Sequence, residues 1–291
     1  MDRNNGMPEP SYITLDGLKL QYFDWGNEGR PTLLWMHGGG GHPVNWAQNV
    51  AHFRDEYRCL ALTHRGHSGS EWAAPDKYGH RYLANEIALF LDAMHVGRTS
   101  IVASSSGGMV GVLLAATRPE RVEKLVFTEM PPVLNDEWVD ISRMLLSNIR
   151  ESFESLQELI DWVRATHDPN MSEEKVRAYA LTAAQECPDG KWRFKNDPAF
   201  ERQEFSAGIQ AAKAIALGRR PEPDYWFLIT QVNCPTLIIR GSKSTMLESG
   251  TMKKMVAFMP DARGAEIDAG HVVYVDKPDE FNSMVEAFLK S

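Results

Sequence analysis

The chain has 291 residues, 43% of them hydrophobic and 24% charged, enough apolar content for a sizeable core and without the bias of a disordered chain. At roughly 150 residues per domain the length allows about two units, although a single α/β domain often exceeds about 200. A net charge of −8 argues against a protein that neutralises nucleic-acid phosphates or lies on an acidic membrane, since both need clustered Lys and Arg.

Cys59, Cys187 and Cys234 are odd in number and lack CxxC spacing, so neither a disulfide framework nor a zinc knuckle is expected. The opening MDRNNGMPEPS has acids and prolines where a signal peptide would be apolar, and no apolar run approaches the roughly 18 residues of a membrane span. These features predict a soluble, cytoplasmic protein.

Residues 12–25 alternate apolar and polar around Asp16-Gly17, the signature of an antiparallel hairpin. Short, continuously apolar runs follow, as strands covered on both faces require. Thr32–Met36 ends in HGGGG, Arg58–Leu62 in THRGHSGS, 99–103 in SSSGG and 124–128 in EMPP. An amphipathic stretch at 81–95 presents Leu83, Ile87, Leu91 and Met94 on one helical face. From about 135 to 225 the pattern becomes helical, broken by HDPNMS, ECPDG and NDP. Strand-like runs return at 235–240 and 265–267, and a helix at 279–289 closes the chain. The prediction is one α/β core, 1–134 and 226–291, with a mostly parallel sheet flanked by helices and a helical cap inserted at 135–225.

The segment Ala103-Ser104-Ser105-Ser106-Gly107-Gly108 lies between a predicted strand and the apolar MVGVLLAAT. A serine on a sharp strand-to-helix turn needs small residues two positions to either side, because the backbone is strained and the helix packs closely. Ser105 has Ala103 and Gly107 there, and its hydroxyl would stand at the carboxyl edge of the sheet. Ser106, between Ser104 and Gly108, satisfies the same spacing, and a plain Ser/Gly turn is the alternative to both.

With these motifs in order, the chain resembles the α/β-hydrolase fold family over nearly its whole length. DGLKLQYFDWG is similar to the opening hairpin, HGGGGHPVNW to the oxyanion loop and HRGHSGS to the next strand end. RPERVEKLVF follows the turn helix as in the family, and AGHVVYVDKPDEF is similar to the segment carrying the catalytic histidine. In this context His271 is the expected base that takes the serine proton and returns it to the leaving group. The other eight histidines have weaker claims; His64 and His67, in HRGH, lack a carboxylate or cysteine that would complete a metal site. No metal or cofactor is expected.

Most of the family carries an aspartate after the strand that ends here in Arg240-Gly241, yet this chain continues SKSTML, with Ser244 and Thr245 where the acid is sought. A variation within the fold places the acid one strand earlier, where this sequence has Glu129. That resemblance makes Glu129 the expected partner of His271, with Glu248 and Asp268 as alternatives. Gly38 or Gly39 and the N–H of Ser106 are the expected oxyanion donors. The four glycines could suggest a phosphate loop, but no GK[ST] follows them.

The cap segment and its edge hold Trp138, Trp162, Trp192 and Trp226, four of the eight tryptophans, which favours a hydrophobic substrate. Ser105-Ser106-Gly107 together with Glu129-Met130-Pro131 resembles the hydrolases that open the macrocyclic ester of zearalenone. That likeness implies a lactonase with a Ser/His/Glu triad and a substrate-binding cap tryptophan, Trp192. The expectation is a serine ester hydrolase or lactonase acting on a hydrophobic small molecule, with no nucleic-acid or membrane partner and self-association left open. Carbon–carbon bond hydrolysis, cofactor-free oxygenation and a non-turnover receptor are the rivals on the same fold.

Overall fold

The computed structural model describes residues 7–166 and 173–291. The predicted helix break at 167–172 and the first six residues lie outside them. In chain order the elements are β1 (Ser11–Leu15), β2 (Leu18–Asp24), β3 (Thr32–Met36), α1 (Ala47–Phe53), β4 (Arg58–Leu62) and α2 (His80–Ala93). There follow β5 (Thr99–Ser104), α3 (Ser106–Thr117), β6 (Val122–Thr128), α4 (Asp136–Asn148), α5 (Leu156–Thr166) and α6 (Glu173–Ala183). Then come β7 (Ala184–Glu186), β8 (Trp192–Phe194), α7 (Pro198–Ala216), α8 (Tyr225–Ile229) and β9 (Thr236–Gly241). The chain ends with α9 (Ser249–Phe258), β10 (Ala262–Ile267), α10 (Val273–Asp276) and α11 (Pro278–Leu289).

Eight strands form one sheet in the order β1-β2-β4-β3-β5-β6-β9-β10. The first hairpin closes with Leu15 opposite Leu18, and Asp16 and Gly17 both have positive φ, the geometry that Asp-Gly accommodates. β2 runs antiparallel to β4, and the neighbours from β4 onward are parallel. β5 is buried at every residue because helices cover both of its faces. One face packs under α2 and α3 through Leu34, Ile87, Ile101, Leu113 and Leu125. The other packs under α1 and α11 through Trp35, Trp46, Val102, Phe281 and Val285.

The order of the strands fixes where a site can form. From β3 the chain steps to β4 on one side and then crosses to β5 on the other, so loops diverge at the carboxyl ends of β3 and β5. Such a reversal point opens a crevice in a doubly wound sheet. The His37–Gly41 turn and Ser105 both leave the sheet there.

Between β6 and β9 the described residues form five helices, α4 to α8, and a two-stranded ribbon in which Ala184 faces Phe194 and Glu186 faces Trp192. The ribbon is an addition to the all-helical expectation: three-residue strands are too short to give an alternation signal. This segment has its own apolar cluster, with Phe153, Leu159, Val163 and Val176 buried. It is tied to the sheet at the start of α7, where Asp197 caps the helix through Ala199 N–H and its own N–H donates to the Gly66 carbonyl. Phe200 is buried against His67 and Tyr78, with ring centroids at 4.4 and 5.7 Å. Trp226, grouped with the cap tryptophans on sequence, packs instead on Phe258 of α9 at 5.7 Å.

Candidate active site

Ser105 joins β5 to α3 with φ 52° and ψ −124°, a conformation that costs a non-glycine residue on the order of 1–3 kcal/mol. Its N–H donates to the Thr128 carbonyl, locking the turn to the end of β6. The small residue at Gly107 has a direct cause. A Cβ there would lie 2.5 Å from the His37 carbonyl oxygen and 2.9 Å from that of Met36. α3 therefore starts against the end of β3, next to the glycine turn.

Gly38, Gly39 and Ser106 all line the cavity into which Ser105 opens. A Cβ on Gly38 would lie 3.0 Å from the Ser104 carbonyl oxygen and from Ser105 Cβ, so the turn and the serine are in van der Waals contact. Gly40 N–H donates to His67 Nε2 at 3.2 Å and Gly41 N–H to the Gly38 carbonyl at 3.0 Å. Gly39 N–H has no hydrogen-bond partner among the described residues, which leaves it available to a substrate oxygen.

The expected base and acid come together. Glu129, also at positive φ (54°) and without solvent exposure, directs Oε2 to His271 Nδ1 at 3.3 Å. Its other oxygen accepts from Gly241 N–H at 2.7 Å, and Ser244 Oγ donates to Oε2. Three groups from the ends of two strands, β9 and β10, thus converge on one buried carboxylate, as a charge removed from water requires. β9 and β10 make this possible by close backbone approach. Ser242 N–H donates to the Ile267 carbonyl at 2.8 Å and Lys243 N–H to that of Ala269 at 3.0 Å. A Cβ on Gly241 would lie only 2.1 Å from the Gly270 carbonyl oxygen.

The alternative acids are engaged elsewhere. Glu248 accepts from Asn135 Nδ2 at 3.0 Å, while Asp268 accepts from Ser242 Oγ at 3.1 Å and pairs with Lys243. Ser106 begins α3, and Ser105 holds the strained turn position.

The cavity has a volume of about 470 Å³, within the usual range of small-molecule sites. Ser105, Glu129 and His271 line it on the sheet side, while Trp138, Trp162 and Phe205 line it from the segment above. Trp138 stacks obliquely on the His271 ring at 6.1 Å and donates from Nε1 to Thr245 Oγ1 at 3.1 Å. Trp192 does not line the cavity. Its backbone pairs with Phe153 and its ring packs on the apolar cluster of this segment. Sequence reading also passed over His80, Glu204 and Tyr225, which line the cavity from three separate elements. No local spacing connects them.

The glycine turn rests on neutral histidines. His37 Nδ1 donates to the Gly38 carbonyl at 2.8 Å while Nε2 accepts from His64 N–H at 3.1 Å. Burial pushes His37 well below the usual histidine value, His64 down to about 3 and His67 to about 4. Among the described residues, no group of three or more His, Cys, Asp or Glu side chains is placed to hold a metal ion, and no helix is long and apolar enough to cross a membrane.

A family model described as the alpha/beta hydrolase fold matches residues 31–278. The chain is 25% identical over 286 residues to the dihydrolipoyllysine-residue acetyltransferase component of the acetoin cleaving system of Pseudomonas putida, covering 97% of this chain and 70% of that protein. It is 21% identical over 278 residues to 3-oxoadipate enol-lactonase 2 of Acinetobacter baylyi, covering 96% of each. Among solved structures, E-2-(acetamidomethylene)succinate hydrolase superposes with a TM-score of 0.80 at 19% identity, over 98% of this chain and 100% of that one. With the matched region running from before β3 to the start of the last helix, the chain belongs to the alpha/beta hydrolase fold family.

Proposed function

We propose that this protein is a serine hydrolase that cleaves an ester or lactone bond of a hydrophobic small molecule through an acyl-enzyme on Ser105. The observation that carries this reading is the contact between buried Glu129 and His271 Nδ1, in the cavity that Ser105 also lines. A carboxylate there fixes the imidazole tautomer with Nε2 unprotonated and stabilises the imidazolium that forms.

In this reaction Ser105 Oγ bonds to the carbonyl carbon as its proton passes to His271 Nε2. The carbonyl π pair moves to oxygen, held by the N–H groups of Ser106 and of Gly38 or Gly39. Collapse breaks the carbon–oxygen bond, and the imidazolium protonates the leaving alkoxide. Water repeats the sequence to release the acid; for a lactone the alcohol stays tethered to the acyl group.

Residues 135–225 act as the cap that closes the cavity. The enol-lactonase and succinate hydrolase names among the relatives imply carboxylate-bearing substrates. Here the described part of the wall has no lysine or arginine and includes Glu129, Glu201 and Glu204, which favours a neutral substrate. A macrocyclic lactone such as zearalenone fits that polarity and the aromatic lining.

The test is fluorophosphonate labelling and nitrophenyl-ester turnover in wild type, Ser105→Ala, Glu129→Gln and Glu248→Gln, followed by product identification from a panel of apolar esters and macrolactones that includes zearalenone. Ser105→Ala should abolish labelling, and Glu129→Gln should lower kcat about 10³-fold or more with a retained melting transition. Undiminished labelling of Ser105→Ala removes that serine from the mechanism. A loss in Glu248→Gln without one in Glu129→Gln overturns the assignment of the acid.

A further inference from the structure

Away from the triad, the cavity wall carries a second carboxylate–histidine pair. His80, at the start of α2, directs Nε2 to Glu204 Oε2 of α7 at 3.1 Å, and its Nδ1 meets Tyr225 Oη of α8 at 2.8 Å. With the tyrosine hydroxyl donating to Nδ1, Nε2–H donates to the carboxylate and each ring nitrogen is used once. Among the described residues no serine, threonine or cysteine is hydrogen-bonded to this relay, so it orients Glu204 rather than activating a nucleophile. Glu204 Oε1 has no hydrogen-bond partner among the described residues, and the side chain keeps 22% of its exposure.

Glu201, one turn earlier on the same helix, also lines the cavity, half-buried and without a hydrogen bond or ion pair among the described residues. Burial raises its carboxyl to about 6, and a partner able to donate a hydrogen bond would relieve that desolvation. Glu222, the remaining cap carboxylate on the wall, is paired with Arg81.

We propose that Glu204 and Glu201 form a hydroxyl-recognising subsite, selecting neutral esters or lactones that carry a phenol or alcohol group away from the scissile carbonyl. The inference rests on the reading of this cavity as the substrate site. Glu204 is a directional acceptor held in place by His80, which suits an O–H donor. An ammonium group would lose its hydration among Trp162, Phe194, Phe200 and Phe205, and a carboxylate would be repelled.

The experiment measures binding to the hydrolysis-blocked Ser105→Ala protein by quenching of tryptophan fluorescence. The probes are ethyl 3-(4-hydroxyphenyl)propanoate and its 4-methoxy, 4-carboxy and 4-aminomethyl counterparts. The hydroxyl ester should bind about ten-fold more tightly than the methoxy ester, with the carboxy ester weakest. Adding Glu204→Gln or Glu201→Gln should bring the hydroxyl-to-methoxy ratio to within about three-fold of one. Equal binding of the first two esters, tightest binding of the aminomethyl ester, no binding of the hydroxyl ester, or a ratio that survives both substitutions overturns the proposal. If wild type hydrolyses none of these esters while the ratio persists in Ser105→Ala, the hydrolase reading falls and the subsite stands.

Discussion

Ser244 Oγ donates to the same oxygen of Glu129 that faces His271 Nδ1. One of the two residues standing where the family resemblance places an acid thus supports the carboxylate on the neighbouring strand end. Gly241 N–H holds the second carboxylate oxygen, so the end of β9 supplies both anchors for a side chain borne after β6.

Removal of the Ser244 hydroxyl should therefore act through Glu129. We expect Ser244→Ala to lower kcat about ten-fold with little change in KM, and Ser244→Thr to restore most of that loss. Steady-state kinetics on a nitrophenyl ester, alongside melting curves of both variants, provide the check. An equal loss in Ser244→Thr would point to packing rather than to the hydroxyl.

Gly107 is fixed by contact with backbone and not with a movable side chain. Gly107→Ala should cost about 3 kcal/mol or more, because neither the His37 nor the Met36 carbonyl can swing aside without breaking the end of β3. Gly250→Ala is the control, since a Cβ there meets nothing within 4 Å. Chemical denaturation should separate the two; comparable midpoints would sink the argument.

The buried histidines predict an acid-sensitive fold. His64 and His67 titrate at about 3 and 4 in the folded protein but near 6.5 when unfolded, so below that value the unfolded chain binds more protons. Stability is complete above pH 6.5 and declines as pH falls toward about 4, each such histidine contributing up to about 1.4 kcal/mol per pH unit. Neither ring nitrogen of His64 has a hydrogen-bond partner among the described residues, so His64→Phe should flatten the decline. Melting temperatures between pH 8 and 4 test this; parallel curves for variant and wild type would count against it.

The cap tryptophans divide by placement. Trp138→Ala and Trp162→Ala remove cavity wall and should raise KM several-fold for an apolar ester, whereas Trp192→Ala should lower melting temperature and leave KM within about two-fold. A KM effect confined to Trp192→Ala would reverse this division.

The apolar runs, the Asp-Gly hairpin and the serine turn were legible because each is a local pattern: strand periodicity, a dipeptide suited to positive φ, small residues around a strained serine. Thr32–Met36 and Arg58–Leu62 form strands with the expected bounds, and the elbow and the histidine loop leave the sheet at its carboxyl edge. Glu129 was reachable only through resemblance, since a carboxylate after a strand is otherwise unremarkable in sequence. The Ser244 contact, the displacement of Trp192 and the His80–Glu204–Tyr225 network had no signal in the chain. They depend on the register in which β9 pairs with β6 and on which face of α7 meets the cavity.

The sequence by itself determined the strands of the sheet and the serine turn, because those follow from hydrophobic period and backbone strain within a few residues, whereas only resemblance pointed to His271 as the partner of the serine. Only the tertiary structure decided how Glu129 is anchored and which side chains wall the cavity. Both are set by register and close backbone approach between strand ends more than 100 residues apart, as between Gly241 and Glu129 with a separation of 112, and no local pattern encodes a distance of that kind.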